Sequence, residues 1–332
     1  MTPQPRRRTR RSGPRGGLDL GGTKIQAVVV DERNQVLGQA RHPTPTSGGP
    51  EGVAAELADA LADAAAAAGI EPGRLAGVGV GSPGVVDERA GTVAQARNLP
   101  DWIEEFPLAA RLGDAVGAPV WVGNDVSVAT NAEFELGAGA PYDSLLGVFW
   151  GTGVGGGLVL GGRQWSGRGA AGEIGHVVVK MNGRHCPCGR EGCMEAYAGR
   201  GSMEARARKL HKKGRKTDLF KIMEQRGRER LTSGIWARAL EAGDKLATEI
   251  VDEAVEALGN GVASALNVLD VEAVVIGGGL GIRLGEPYAK RITDAMMPHL
   301  FTSERPPEVF VAALGDLGGA IGAALLVHRA ND

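Results

Sequence analysis

Short glycine clusters stand at the ends of apolar runs throughout this chain, and they constrain its fold more than any other feature. There are 53 glycines in 332 residues, about one in six against an ordinary usage of roughly 7%. No G-X-Y period or low-complexity tract accounts for them. They read instead as places where the backbone turns sharply or approaches a ligand closely. With 43% hydrophobic and 23% charged residues, a packed core is expected and wholesale disorder is not. At roughly 100–200 residues per domain, the length suits about two domains. A glycine-loop enzyme is the expectation.

Residues 18–20 and 23–30 read as strands joined by a Gly21-Gly22 hairpin turn. Residues 51–68 read as a helix, with Leu57 and Leu61 at i, i+4 spacing and Gly69 as its stop. A strand over 75–80 closes on Gly81-Ser82-Pro83-Gly84, and another over 116–122 delivers Gly123-Asn124-Asp125 to a helix over 126–136. The pattern then repeats as a strand over 145–150, a glycine turn over 151–157 and a return strand from 158. Residues 201–266 read as mostly helical. A buried strand over 271–276 ends in Gly277-Gly278-Gly279-Leu280-Gly281, a helix runs on to about residue 297, and strand 309–314 and helix 315–327 close the chain. Two hairpins with anion-type loops, one in each half, predict two related α/β domains facing across a cleft. The expected division is a basic tail over 1–16, a smaller domain over 17–125 to which a helix at about 316–330 crosses back, and a larger domain over 126–315.

Net charge is −2, yet residues 1–17 hold six arginines (Arg6, Arg7, Arg8, Arg10, Arg11, Arg15) and no acid, so the remainder carries −8. That balance argues against a nucleic-acid surface. No apolar segment follows the arginines, so the head reads as a disordered tail and not as an export signal. No run of 18 uninterrupted apolar residues occurs, and the expectation is a soluble, cytoplasmic protein with neither membrane nor nucleic-acid partners.

In the first hairpin loop, Gly21, Gly22, Thr23 and Lys24 present backbone N–H groups with few side chains in the way, which suits a phosphate. An ordinary β-hairpin explains that loop equally well until Asp19 is considered. A carboxylate just before an anion-binding turn would repel phosphate unless Mg²⁺ sat between them. The loop Gly151-Thr152-Gly153 repeats the arrangement, and no Walker-type phosphate loop occurs anywhere. Gly278 and Gly279 lack the spacing of a dinucleotide fingerprint and suit close approach to an adenine or ribose. Three cysteines, Cys186, Cys188 and Cys193, crowd into eight positions, an odd count unlike a secreted disulfide framework. With His176 they would complete a closed tetrahedral Zn²⁺ site of structural type. His185 is the alternative fourth ligand, and three unrelated buried cysteines are the bland alternative. Glu173 and Glu195 bracket this loop, so a metal there would hold both carboxylates in place.

The segments DLGGTK (19–24), GND (123–125), WGTGVGGG (150–157), GEIGH (172–176), CPCGREGCMEAYAG (186–199) and VVIGGGLG (274–281) together resemble the ROK family of sugar kinases, bacterial glucokinases above all. The match runs in the family's order over about residues 17–328. The resemblance implies an actin-like (ribonuclease H-like) α/β fold of two domains closing over ATP and a hexose, most simply glucose giving glucose 6-phosphate. It implies Asp125 as general base, with Gly84, Asn98, Asn124, Glu173, His176 and Glu195 around the sugar, and a homodimer or higher homo-oligomer. The residues also carry plainer readings. Asp125 could cap the helix that follows it, Asn98 could stabilise a turn, and Glu173 and Glu195 could support the zinc ligands. Val126-Ser127 stand where the family often has Ala-Asn, with Asn131 as a possible substitute amide, and Gly199 stands where Ser is frequent. Both departures bear on which sugar is taken. An N-acetylglucosamine or N-acetylmannosamine kinase is the first alternative. A polyphosphate-dependent enzyme is another, because residues 206–230 hold eleven Lys or Arg, although a solvated helical face explains these as well. A sugar-responsive regulator would need a helix-turn-helix of roughly 60–80 residues before the first hairpin, where some 17 residues stand.

Overall fold

The computed structural model describes residues 13–96 and 98–329. The chain divides into two units, one running to Ala132 and taken up again at Leu314, the other spanning Glu133–Ala313. The sequence placed this division nearer residue 125; it falls instead within a continuous helix.

The first unit contains β1 (Arg15–Leu20), β2 (Lys24–Val30), β3 (Val36–Pro43), β4 (Val78–Ser82), β5 (Val85–Asp87), β6 (Thr92–Ala94) and β7 (Val120–Asn124), with α1 (Gly49–Ala67), α2 (Leu108–Val116) and α3 (Asp125–Leu136). Its five-stranded sheet has the order β3-β2-β1-β4-β7. β1, β2 and β3 pair antiparallel, while β4 lies parallel to β1 and β7 parallel to β4. The continuous apolar run of β2 reflects burial on both faces. Ala27 and Val29 pack in the cluster that holds Leu57 and Leu61 of α1, and Val28 and Val30 pack against Ala320 and Ala324.

Arg15, counted from sequence with the basic head, is a buried residue of β1. Its guanidinium donates to the Asp31 carbonyl at 2.8 Å and to Asn34 Oδ1 at 2.7 Å. Residue 15, inside the tail expected over 1–16, is thus part of a strand, and Arg6, Arg7, Arg8, Arg10 and Arg11 lie outside the described residues. The strand expected from residue 116 also differs. Leu108, Leu112 and Val116 recur at helical spacing on the buried face of α2. Gly117, at φ 71°, stops that helix, and the strand starts at Val120.

The second unit repeats the scheme. β8 (Leu145–Trp150), β9 (Val154–Leu160), β10 (Arg163–Gln164), β11 (Ala273–Gly277) and β12 (Glu308–Val311) form a sheet of order β10-β9-β8-β11-β12. Again one end is antiparallel and the other parallel. Its helices are α4 (Glu195–Ala198), α5 (Arg200–Lys212), α6 (Leu219–Gln225), α7 (Ser233–Glu241), α8 (Lys245–Leu269), α9 (Gly278–Leu284) and α10 (Glu286–Met296). The return strand starts at Val154, so Gly155, Gly156 and Gly157 belong to β9 and not to the turn expected over 151–157. A Cβ on Gly156 would lie 2.6 Å from the Gly172 carbonyl oxygen, so the missing side chain serves close packing. No helix among the described residues is long and apolar enough to cross a membrane.

The last helix, α11 (Gly318–Arg329), returns to the first unit and lies on β1 and β4. Gly17 and Gly79 make that approach possible, because a Cβ on either would overlap the carbonyl oxygen of Ala320 or Ala323. Gly322, on the same helix, lies as close to α3, since its Cβ would meet Val128 O at 2.5 Å and Ala132 Cβ at 2.9 Å.

Two expectations follow from these contacts. Gly79→Ala should destabilise the protein by about 3 kcal/mol or more, because both colliding groups are backbone of regular elements. Gly234→Ala, whose Cβ would meet nothing within 4 Å, is the control, and equal chemical-denaturation midpoints for the two variants would contradict the packing argument. The second expectation concerns His42 on β3. Its Nδ1 lies 2.6 Å from Glu56 Oε1 and its Nε2 3.0 Å from Asp63 Oδ2, both carboxylates on α1. The hydrogen bond with Glu56, helped by Asp63, raises the imidazole pKa above its ordinary value. The folded state therefore binds this proton more tightly than the unfolded chain. The contribution is complete below roughly pH 6.5, the ordinary histidine value, and is lost as pH rises through the raised value. His42→Gln should remove that slope from melting temperature measured against pH.

Candidate active site

Each unit carries part of the residue set expected from the sequence. In the first unit the β1–β2 hairpin closes with Gly21 N donating to the Lys24 carbonyl at 3.0 Å, and Thr44 Oγ1 donates to the Gly21 carbonyl at 2.6 Å. The Gly22 and Thr23 amides have no acceptor among the described residues, which leaves two adjacent donors at the tip. Neither Gly21 nor Gly22 has positive φ, so glycine is not required here by backbone conformation. Gly22 instead lies beside Asn98, whose carbonyl oxygen would be 3.1 Å from an added Cβ.

Asp19 sits at the base of this hairpin, opposite Gln26 and Gly81 in the sheet. Gly319 of α11 lies directly against its carboxylate, where a Cβ would come within 2.7 Å of Cγ. Burial pushes the Asp19 carboxyl above its ordinary value; Lys24 opposes the shift and Asp316 adds to it. Lys24 Nζ lies 3.8 Å from Asp316 Oδ1. The hairpin thus gathers two carboxylates and an ammonium, and the sequence reading had not included Asp316 or Thr44.

Asn124 ends β7 and Asp125 begins α3. The helix cap falls on Asn124, whose Oδ1 accepts from Ser127 N at 3.1 Å. Asp125 Oδ1 accepts from the adjacent Val126 N at 2.9 Å, and the residue is half-buried. Capping, weighed for Asp125 from sequence, is the work of its neighbour. Gly81 at the end of β4 lies close by, with its added Cβ 3.4 Å from Asp125 Cα. Both strands therefore deliver their carboxyl ends here, where ligands bind in parallel sheets. Asn98 is exposed in a turn. Gly84 has φ 94° and would bring a Cβ within 2.5 Å of the Ala94 carbonyl oxygen, so local geometry alone requires glycine there.

In the second unit, Gly151 N donates to the Gly153 carbonyl at 3.0 Å, and Val154 N donates to Glu195 Oε2 at 2.8 Å. The amides of Thr152 and Gly153 have no acceptor among the described residues. Thr152 Oγ1 accepts from Arg200 Nη2 at 2.9 Å, and Arg200 Nη1 donates to Ser233 Oγ at 3.0 Å. Neither Arg200 nor Ser233 was singled out from sequence, since they lie 48 and 81 positions beyond Thr152 with no local motif to mark them. Gly278 and Gly279 form the junction of β11 and α9 and not an open loop. Gly278, at φ 77°, lies against the backbone of Trp150, whereas an added Cβ on Gly279 would meet only Ser233 Oγ, at 3.5 Å.

His176, Cys186, Cys188 and Cys193 converge, their ligating atoms all within 4.8 Å of one another. Cys186 Sγ faces His176 Nδ1 at 3.8 Å, and Cys188 and Cys193 place their sulfurs 3.8 Å apart, too far for a disulfide. Burial pushes the Cys186 thiol up to about 12. His185 is not part of the cluster; its ring is 86% exposed and faces Glu191. Nε2 of His176 faces Glu173 at 3.8 Å, and Glu173 is exposed. Glu195 joins two features that the sequence reading kept apart, since Oε2 holds Val154 of the glycine loop while Oε1 lies 3.8 Å from Cys186 Sγ.

Comparison with known proteins identifies the family. A profile described as the ROK family matches residues 15–330. A glucokinase of Thermotoga maritima is 33% identical over 94% of this chain and 96% of its own. An N-acetylmannosamine kinase of Haemophilus influenzae is 32% identical over 93% of this chain and 94% of its own. The crystal structure of a ROK family glucokinase from Streptomyces griseus in complex with glucose and AMPPNP superposes with a TM-score of 0.82 at 32% identity, covering 96% of this chain and all of that one. The paired sheets of like topology are those of the actin-like two-domain fold. The chain belongs to the ROK family and is a sugar kinase of the hexokinase type.

Proposed function

We propose that the chain transfers the terminal phosphoryl group of ATP to a hexose, with glucose as the preferred sugar and glucose 6-phosphate as product. The observation that carries this reading is Asp125, a half-buried carboxylate at the carboxyl end of β7 whose neighbour Asn124 takes the helix-capping role. Phosphoryl transfer needs positioning and charge neutralisation, plus one carboxylate to accept the proton of the attacking hydroxyl. Asp125 takes that proton in our reading. Gly84, Asn98, Asn124, Glu173, His176 and Glu195 surround the sugar, and hydroxyl-specific contacts of this kind reject analogues lacking the hydroxyl. The paired free amides of Gly22 with Thr23 and of Thr152 with Gly153 receive phosphate oxygens, and Gly278 and Gly279 admit the nucleoside.

Mg²⁺ suits the first hairpin. Asp19 and Asp316 lie close enough for one to raise the other's pKa, and a hard divalent cation prefers such oxygen ligands. Asp19, with Asp316 beside it, would hold the ion, which when bound neutralises charge on the donor phosphates. Zn²⁺ suits the cysteine cluster. Roughly 2.3 Å Zn–S bonds in tetrahedral geometry put the sulfurs ~3.8 Å apart, the spacing of Cys188 and Cys193. Four ligands leave no open position, so the metal would be structural. Glu173 beside Nε2 of His176 supplies the outer partner such a ligand commonly has. Free thiols and an ATP requirement both suit the cytoplasm.

The N-acetylmannosamine kinase relative supports the second reading, an acetylated hexosamine as acceptor. Polyphosphate as donor has less support, because Arg208 and Arg230 are ion-paired with Glu204, and Arg215 with Glu249.

A coupled ADP-release assay over hexoses and N-acetylhexosamines, with ATP and then polyphosphate, tests the reading. Glucose should give the highest kcat/KM; the opposite ranking would transfer the assignment to the hexosamine, and no release with any sugar would overturn it. Asp125→Asn should lower kcat by at least ~10²-fold while glucose binding, followed by calorimetry, persists. Elemental analysis should find about one zinc per chain, and Cys188→Ser should lower both zinc content and melting temperature. Because Glu195 ties the cluster to the glycine loop, that variant should raise KM for both ATP and sugar. Active enzyme purified without zinc would overturn the metal assignment.

A further inference from the structure

Arg200 is a cation bonded to the second glycine loop that the proposed mechanism leaves unused. Its guanidinium links two places that are distant in sequence, donating to Thr152 Oγ1 in the loop and to Ser233 Oγ at the start of α7. Its own amide donates to the Gly151 carbonyl at 3.1 Å, so the residue is tied to the loop at both ends. Arg200 has no carboxylate partner among the described residues. Glu204, the acid whose charge acts on Arg200, is buried and fully engaged: Oε1 accepts from Arg208, and Oε2 from Arg230 and Leu231 N. Two guanidiniums therefore already occupy that carboxylate, and Arg200 makes no hydrogen bond to it.

A half-buried cation beside other guanidiniums is costly unless an anion completes it. Burial, with Arg230 adding like-charge repulsion, lowers the Arg200 pKa, which has the sign expected of an incomplete pair. The hydroxyls add a second argument. Thr152 Oγ1 and Ser233 Oγ each accept from the guanidinium, so each directs its own O–H elsewhere as a donor. Together with the free amides of Thr152 and Gly153, these make a set of donors with a positive centre and no acceptor. Such a set matches a phosphate chain.

We infer that Arg200, with the hydroxyls of Thr152 and Ser233, binds the terminal phosphates of the phosphoryl donor, so that donor affinity depends on the number of phosphates more than on the base. This inference rests on the kinase reading above for its ligand, a phosphate chain that ATP and inorganic polyphosphate share. Arg200 is a phosphate-binding residue in this account and takes no proton.

Calorimetric titration with adenosine, ADP and inorganic tripolyphosphate tests it on wild type, Arg200→Gln, Arg200→Lys and Ser233→Ala. For a charge-assisted contact, Arg200→Gln should weaken ADP and tripolyphosphate by about ten- to a hundredfold and leave adenosine within about twofold. Arg200→Lys should lose less, since it keeps the charge without the two-pronged geometry. Ser233→Ala should cost roughly threefold, again confined to the phosphate-bearing ligands. In assays, KM for ATP should rise in Arg200→Gln while KM for the sugar stays put, and a parallel rise with polyphosphate would identify both donors as users of the same contact. Equal losses for adenosine and tripolyphosphate, with a lowered melting temperature, would show Arg200 to be a structural prop and overturn the inference. So would unchanged tripolyphosphate binding by an Arg200→Gln variant of an enzyme that phosphorylates sugars. Arg200-dependent tripolyphosphate binding in a protein that phosphorylates no sugar would support this site and overturn the kinase reading alone. If Arg200→Gln does not fold, Arg200→Lys and Ser233→Ala carry the same comparison.

Discussion

Backbone-to-backbone approach between α11 and the strands β1 and β4 is the constraint on which the first unit depends. Gly17 and Gly79 bring the helix so near that a methyl group would overlap the carbonyl oxygens of Ala320 and Ala323. That approach seats Gly319 against the Asp19 carboxylate and Gly322 against α3, the helix that starts at Asp125. The last helix of the chain thus sets the positions of two acids that lie more than a hundred residues apart. A small-residue face makes this possible, because dispersion and burial act at full strength only where surfaces meet without gaps.

The second unit reaches a similar end by other means. Its hairpin loop is held by side chains: Glu195 accepts from Val154 N, and Arg200 ties Thr152 to Ser233. Glu195 also adjoins the Cys186 sulfur, so the cysteine cluster and the glycine loop form one connected structure. Related topologies have been fitted to different duties, one loop resting on close helix packing and the other on a polar network. A ROK sugar kinase with this construction couples the geometry of its cysteine loop directly to a glycine loop.

The glycine hairpins, the three clustered cysteines and the Asn124-Asp125 pair were legible in the sequence because each is local. A turn, a C-x-C spacing or a residue between strand and helix has a physical meaning that neighbouring residues already supply. Other features were misread. Val116 closes a helix instead of opening a strand, since its burial beside Leu108 and Leu112 on one helix face outweighs its place at the head of an apolar run. Charge alone places Arg15 in a tail, although its partners Asp31 and Asn34 lie only a short way along the chain. Glycines 155–157 read as a turn because strand glycines that admit a neighbouring backbone look the same in sequence as turn glycines.

Fold class and family were readable from the amino-acid sequence alone, because hydrophobic periodicity, turn chemistry and motif spacing act over a few residues. Which histidine joins the cysteines, which residue caps α3, and the shared hydrogen bonds of Arg200, Thr152 and Ser233 emerge in the folded chain alone. Those choices depend on distances between residues tens of positions apart. Such distances are set by how closely helices and sheets can approach, which no local pattern records.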